Sequence, residues 1–215
     1  MERKIAKQIH ISEGTMFSIA VIAVCWFILF SPWTRPLVNF WWILSISSVL
    51  ISILAGHFHP EWTLDLDVDK KNILIGTVLA GVLGIGCHVG SQFLVDWIPV
   101  LEIDLERIHL FYDDPVYYLL SILILFLMGA SEEIFWRGYI QQVFSERWGA
   151  NTGYVLTTLL FASMYVWSFN WMLIVGSLLL SMLWGGLCRL DSRWLSPVML
   201  SHALLNVIVF VLFPI

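Results

Sequence analysis

Charge is what this 215-residue chain has least of. Lysine, arginine, aspartate and glutamate make up 13% of it, where a soluble domain carries about a quarter. Hydrophobic residues reach 59% and mean hydropathy is +0.84. That balance excludes a soluble globular domain and predicts a polytopic membrane protein. The chain has three cysteines, Cys25, Cys87 and Cys188. They are far apart in apolar segments, so neither a disulfide framework nor zinc spacing is expected. Beyond Arg3, Lys4 and Lys7 there is no basic stripe, which excludes nucleic acid as a partner. No His-Glu-x-x-His is present, which disfavours a zinc protease. The net charge of −5 says little about partners, because the charges sit in short loops. No cleavable signal peptide is expected: the first apolar run is span-length, with no small-residue cleavage site after it.

What is there is a series of apolar runs. Seven membrane spans are expected, at about 15–30, 37–55, 73–95, 116–141, 152–167, 171–188 and 195–213. The fold class expected is therefore all-α, a polytopic membrane helix bundle of about seven transmembrane helices. With the N-terminus in the cytoplasm, the inner side takes Arg3, Lys4, Lys7, Lys70, Lys71, Arg147, Arg189 and Arg193, with Arg137 near it. Only Arg35 and Arg107 of the 11 basic residues fall outside, as the positive-inside rule requires. The loop 56–72 holds His57 and His59 beside Asp65, Asp67 and Asp69. It lacks the glycine and terminal glutamate of a calcium-binding hand and is expected to be solvated. No cofactor and no metal are expected anywhere in the chain. The third span carries Gly76, Gly81, Gly84, Gly86 and Gly90, small residues that let helices approach in lipid. The acidic segment 96–115 is amphipathic and is expected on the membrane surface.

Three polar groups interrupt the apolar runs. Ser131-Glu132-Glu133-Ile-Phe-Trp-Arg137 follows the run 117–130, so two carboxylates and an arginine enter a membrane helix. Each such charge costs roughly 2.5–3.5 kcal/mol on insertion scales and marks a functional site by default. Glu133 and Arg137 are four residues apart and can pair on one helical face; Glu132 points about 100° away and is left for another role. The second group is Phe161-Ala-Ser-Met-Tyr165. The third is His202-x-x-x-Asn206, again on one face. Polar residues in spans face the bundle interior, so the three are expected to converge. A desolvated glutamate can act as a general base near neutral pH, and His and Asn donors can stabilise an oxyanion. That set makes an amide hydrolase without a metal. A buried polar network that only fixes helix packing accounts for the same residues equally well.

Glu-Glu-x-x-x-Arg, Phe-x-x-x-His and His-x-x-x-Asn on successive membrane helices resemble the CAAX-protease and bacteriocin-processing family, also called Abi, over about 117–213. Glu-Glu-Ile-Phe-Trp-Arg-Gly-Tyr and Ser-His-Ala-Leu-Leu-Asn carry the likeness. The resemblance implies a glutamic-type intramembrane endopeptidase. Glu132 would activate water, Glu133 and Arg137 would organise the site, and His202 and Asn206 would form the oxyanion hole. The family's middle histidine falls on Tyr165, and a neutral phenol is a poor base at about pH 7. Either Tyr165 positions the water, or another group such as His88 substitutes, or catalysis is lost.

The organisation expected is a basic cytoplasmic segment at 1–14, N-terminal helices and loops at 15–115, and a protease core at 116–215. The expected partners are the lipid bilayer and a membrane-associated protein or peptide substrate, such as a leader, a sorting anchor or a prenylated tail. The expected location is the bacterial cytoplasmic membrane. Two other classes remain open: a non-catalytic member acting as scaffold, chaperone or immunity factor, and a small transporter that uses the same ionisable residues for flux. A rhomboid-type Ser131–His202 dyad is disfavoured, because no glycine follows the Ser-Glu pair. A two-aspartate protease is disfavoured because Asp191, the lone late aspartate, sits in a loop.

Overall fold

The apolar runs fold as helices in the computed structural model, which describes residues 2–110 and 118–214, and the side chains of 13–108 and 118–214. The order is α1 (Glu2–Phe30), α2 (Phe40–Phe58), α3 (Lys70–Trp97), α4 (Leu101–Leu110), α5 (Tyr118–Glu133), a π-helical segment (Ile134–Ile140), α6 (Gln141–Trp148), α7 (Ala150–Ser163), α8 (Trp171–Leu190), α9 (Leu195–Val207) and a second π segment (Ile208–Leu212). No strand occurs among the described residues. Polar side chains start the helices where the sequence supplies them. Asn39, Asp69 and Asn170 accept the backbone N–H groups of Trp42, Asn72 and Leu173 and so cap α2, α3 and α8.

Among the described residues, six stretches are long and apolar enough to cross a membrane: Glu13–Phe30, Phe40–Phe58, Lys70–Trp97, Tyr118–Trp148, Trp171–Leu190 and Ser192–Leu212. These correspond to six of the seven expected spans. The remaining one is α7, a helix of 14 residues. At 1.5 Å per residue it reaches only about 21 Å, short of the roughly 30 Å of a bilayer's hydrocarbon core. It ends early because the chain turns at Met164–Tyr165, and that turn delivers Tyr165 to the site. The first residues of the expected fourth span, Val116 and Tyr117, lie outside the described residues, as do Asp113 and Asp114 of the acidic segment.

Packing sorts the glycines of α3. A Cβ on Gly76 would lie 2.8 Å from the Pro197 carbonyl oxygen, and one on Gly84 2.8 Å from the Ile208 side chain, so these two seat α3 against α9 and the π segment that continues it. Gly81, Gly86 and Gly90 face open space. Within the acidic segment one carboxylate turns inward. Asp104 is buried: its carboxylate accepts the Trp171 N–H at 2.8 Å and its carbonyl accepts Asn170 Nδ2 at 2.7 Å. It thereby satisfies the start of α8, where unpaired donors would otherwise be costly.

The loop 56–72 is mostly exposed and is anchored at several points. Pro60–Asp65 forms a 3₁₀ turn, His59 is buried, and Trp62 packs where a side chain on Gly138 would be. Gln142 bridges His59 (2.9 Å) and Asp65 (2.7 Å), and Ser192 donates to Asp65 at 2.6 Å. The loop is thus bonded to the start of α6 and to the α8–α9 connection.

Candidate active site

The site forms where α5 crosses α9. The crossing is close because residue 129 is glycine: a Cβ there would lie 2.8 Å from both the Cα and the N of Ala203. One turn beyond it, Glu132 and Glu133 end α5 beside His202, the neighbour of Ala203. Immediately after Glu133 the helix widens into the π segment Ile134–Ile140. Such local departures from α geometry recur at functional sites.

Glu133 is fully buried, and one of its oxygens is shared. Arg137 Nη1 donates to Oε1 at 2.9 Å, and His202 Nδ1 lies 2.7 Å from the same atom. Arg137, itself 2% exposed, donates through Nη2 to Ser181 Oγ at 2.9 Å. Its guanidinium lies 4.8 Å from the centre of the Phe161 ring. Oε1 already accepts from Arg137, and the 2.7 Å contact suits a second N–H donated to it from His202 Nδ1. The other ring nitrogen, Nε2, then faces Glu132 Oε2 at 3.4 Å. Nε2 accepts in the neutral ring and donates in the imidazolium form, which also balances the second carboxylate.

Glu132 is 1% exposed. Tyr165 donates its hydroxyl to Oε1 at 3.1 Å, while Oε2 has no hydrogen-bond partner in the protein. This carboxylate stands at the polar end of a cavity of about 360 Å³. The cavity walls are mainly apolar and come from α3 and α8, with Tyr165, His202 and Asn206 beside Glu132. Asn206 contributes its amide at the cavity edge, where Nδ2 donates to the Leu125 carbonyl over a long 3.4 Å. Glu132, Glu133, Arg137, Tyr165 and His202 therefore form one connected cluster, and Asn206 lines the same cavity one turn from His202.

His88 does not join them. Its side chain is exposed on α3 and is not part of the cavity wall, so it cannot substitute for the group at position 165. Two residues of α8 do belong to the cluster and carry no motif in the sequence. Ser181 bonds Arg137, and Trp184 stacks on the His202 ring with centroids 4.2 Å apart and planes 24° apart. Trp184 is fully buried and donates Nε1–H to Ser201 Oγ at 3.3 Å. The available signal was helical spacing: Ser177, Ser181 and Trp184 fall on one face of an otherwise apolar span.

Residues 114–208 match the model of a protein family described as Rce1-like, type II CAAX prenyl endopeptidase. No curated protein and no solved structure matches the chain. The matched segment is somewhat under half of the chain and contains Glu132, Glu133, Arg137, Tyr165, His202 and Asn206. Apolar helices of spanning length and a match to a membrane-protease family mark an integral membrane protein. Through the segment that builds the buried carboxylate cluster, the chain is similar to the CAAX-protease family.

Proposed function

We propose that the protein is an intramembrane endopeptidase in which Glu132 activates water to cleave a membrane-associated protein or peptide. The observation that carries this reading is the buried Oε2 of Glu132, which takes no hydrogen bond and stands 3.4 Å from His202 Nε2 at the polar end of a largely apolar cavity. Water bound there gives its proton to Oε2 and attacks the scissile carbonyl carbon. The oxyanion that forms takes hydrogen bonds from Asn206 Nδ2, which exchanges its long bond to Leu125, and from protonated His202 Nε2. Collapse breaks the C–N bond, and the proton on Glu132 passes to the leaving amine. Glu133 and Arg137 touch no substrate; they hold His202 through Nδ1. Tyr165 orients Glu132 through the other oxygen and performs no base chemistry.

The cavity also bears on the substrate. Its walls are mainly apolar, which suits an apolar or lipid-bearing segment such as a leader, a sorting anchor or a lipidated tail. We place the N-terminus in the cytoplasm on the distribution of basic residues, and the protein in a bacterial cytoplasmic membrane by analogy.

The test is cleavage of a panel of membrane-anchored peptides by the purified protein. Glu132→Gln should lower turnover about 10²–10⁴-fold, the usual contribution of a positioned general base; unchanged processing would remove Glu132 from the role. One observation favours a second reading. Tyr165 stands where the family pattern has histidine, and its hydroxyl lies directly on the base. Cleavage by Tyr165→His alone would make the natural chain a binding member of a protease family.

A further inference from the structure

The apolar cavity has one wall unlike the others. Its lining residues on α1, α2, α4 and α5 are buried, and those on α9 and its π segment are buried or half-buried. Among the described residues, every exposed member of the lining lies on α3 or α8: Gly86 and Leu94 on the one, Val175, Leu179 and Leu183 on the other. A residue that both lines a cavity and faces outwards marks its mouth. α3 packs chiefly on α9, and α8 chiefly on α7, so the two helices face each other across the cavity without closing it.

The mouth lies at membrane depth, because both helices are of spanning length. Glycine keeps it wide: a Cβ on Gly86, Gly90 or Gly176 would meet nothing within 4 Å, and all three line the cavity. Both ends of the bundle are covered. At one end Ile108 of α4 lines the cavity and is 3% exposed, and Asp104 ties α4 to the start of α8. Towards the other end Trp62 packs against Gly138, Gln142 and Ser192 hold Asp65, and no residue of 45–82 or 133–160 reaches the cavity. An opening between two apolar spans, remote from both sets of loops, leads into lipid and not into water.

Its position along the helices gives the side. Gly86 and Leu94 belong to the second half of α3, and Val175 and Leu179 to the first half of α8. Lys70 and Arg189 stand at the opposite ends of the same helices, the ends assigned to the cytoplasm. We infer that substrate enters between α3 and α8 from the outer half of the bilayer, with Gly86 and Gly176 as its gate. The substrate is then an exported protein or peptide whose apolar anchor lies in the outer leaflet. A cytoplasmic protein carries its lipid tail in the inner leaflet, and of the exposed lining residues only Leu183 stands past the middle of its helix on that side. The inference rests on the hydrolytic reading and on the topology proposed above.

Two measurements on the full-length protein test it. In the first, Cys25, Cys87 and Cys188 are replaced by serine, and a nitroxide is attached at Gly90→Cys or, as the lipid-facing reference, at Val82→Cys, a position 60% exposed. In liposomes the Gly90 label should collide with dissolved oxygen within about 2-fold of the reference rate, and as rarely as the reference with a water-soluble nickel chelate, which hydrocarbon excludes. Low rates with both quenchers would mean that α3 and α8 close the wall, and frequent collision with the chelate would mean a mouth open to water; either overturns the opening. In the second, a palmitoylated fluorogenic peptide with a charged linker, which keeps it in the leaflet it enters, is added to right-side-out or inverted membrane vesicles containing the protein. Right-side-out vesicles should cleave it at least about 10-fold faster, and Gly86→Leu and Gly176→Leu should each lower kcat/KM about 10-fold, chiefly through KM. Gly81→Leu, off the cavity wall, should stay near wild type. Equal or faster cleavage by inverted vesicles would overturn the side of approach and leave the protease reading standing. Wild-type rates in both gate variants would overturn the gate. If neither kind of vesicle cleaves, the proposed function fails and the route with it, and the nitroxide measurement still decides the opening alone.

Discussion

At the residue scale, Trp184 is the side chain whose position says most about how the site works. His202 has a carboxylate at each ring nitrogen, at 2.7 and 3.4 Å, and would otherwise be free to rotate between them. The stacked indole restricts it to one plane. Trp184 also lines the apolar cavity, so it can affect binding as well as turnover. Trp184→Leu should lower kcat about 10²-fold, since a displacement of 1 Å in a catalytic group costs that much, with a smaller change in KM. Trp184→Phe, which keeps a ring over the imidazole, should retain most of the rate. Steady-state kinetics on the two variants separates a positioning role from a substrate contact. An effect confined to KM would assign Trp184 to the substrate instead.

At the element scale, the α5–α9 crossing assembles the cluster, and Gly129 permits the crossing. A methyl at this position meets α9 backbone, which cannot move aside as a side chain tip can. Gly129→Ala should therefore destabilise the fold by about 1–3 kcal/mol, the usual cost of overpacking, and should separate Glu132 from His202. Gly81→Ala is the control, because a Cβ there meets nothing. It should be neutral or stabilising, since alanine is favoured over glycine in a helix by about 1 kcal/mol. Thermal unfolding in detergent reads both variants. Equal Tm values would mean that α5 and α9 adjust their spacing freely. The short α7 belongs to this scale too. A full-length span would have carried Tyr165 past Glu132, whereas a helix stopping at Ser163 leaves the turn at the depth of the carboxylate.

At the scale of the whole molecule, polar and aromatic contacts sort the connections into two ends. One end joins the 56–72 loop, α6 and the α8–α9 connection through Asp65, Gln142 and Ser192. The other joins α4 to the start of α8 through Asp104, and the α1–α2 connection to the turn after α7 through Trp33 and Phe169, whose rings stand 5.7 Å apart. The proposed topology puts the first end in the cytoplasm, in keeping with Lys70, Lys71, Arg147, Arg189 and Arg193. Single cysteines at Glu61 and at Gly149 should then be labelled together from the cytoplasmic side, and one at Val100 only from the opposite side. Labelling of Glu61 and Gly149 from different sides would mean that α7 and its neighbours cross the membrane differently.

The sequence by itself determined the solvent and the class of fold. Span length, hydropathy and the placement of basic residues are properties of local chain segments, and they already require a helix bundle in a bilayer. It also singled out Glu132, Glu133, Arg137, Tyr165, His202 and Asn206, since polar groups in apolar runs are conspicuous one residue at a time and their spacing repeats a family pattern. Only the tertiary structure decided which groups meet. His88 and Tyr165 were equal candidates in sequence, and helix packing turns one outwards and the other onto Glu132. Nothing local distinguishes Ser181 and Trp184 from other residues of α8, or Gly76 and Gly84 from the remaining glycines of α3. Their roles come from contacts between helices far apart in the chain. Nor does anything local mark Asp104 or His59 for burial; that depends on partners at Trp171 and Gln142. The cavity and its opening are likewise spaces between helices, a property that no single segment of chain possesses.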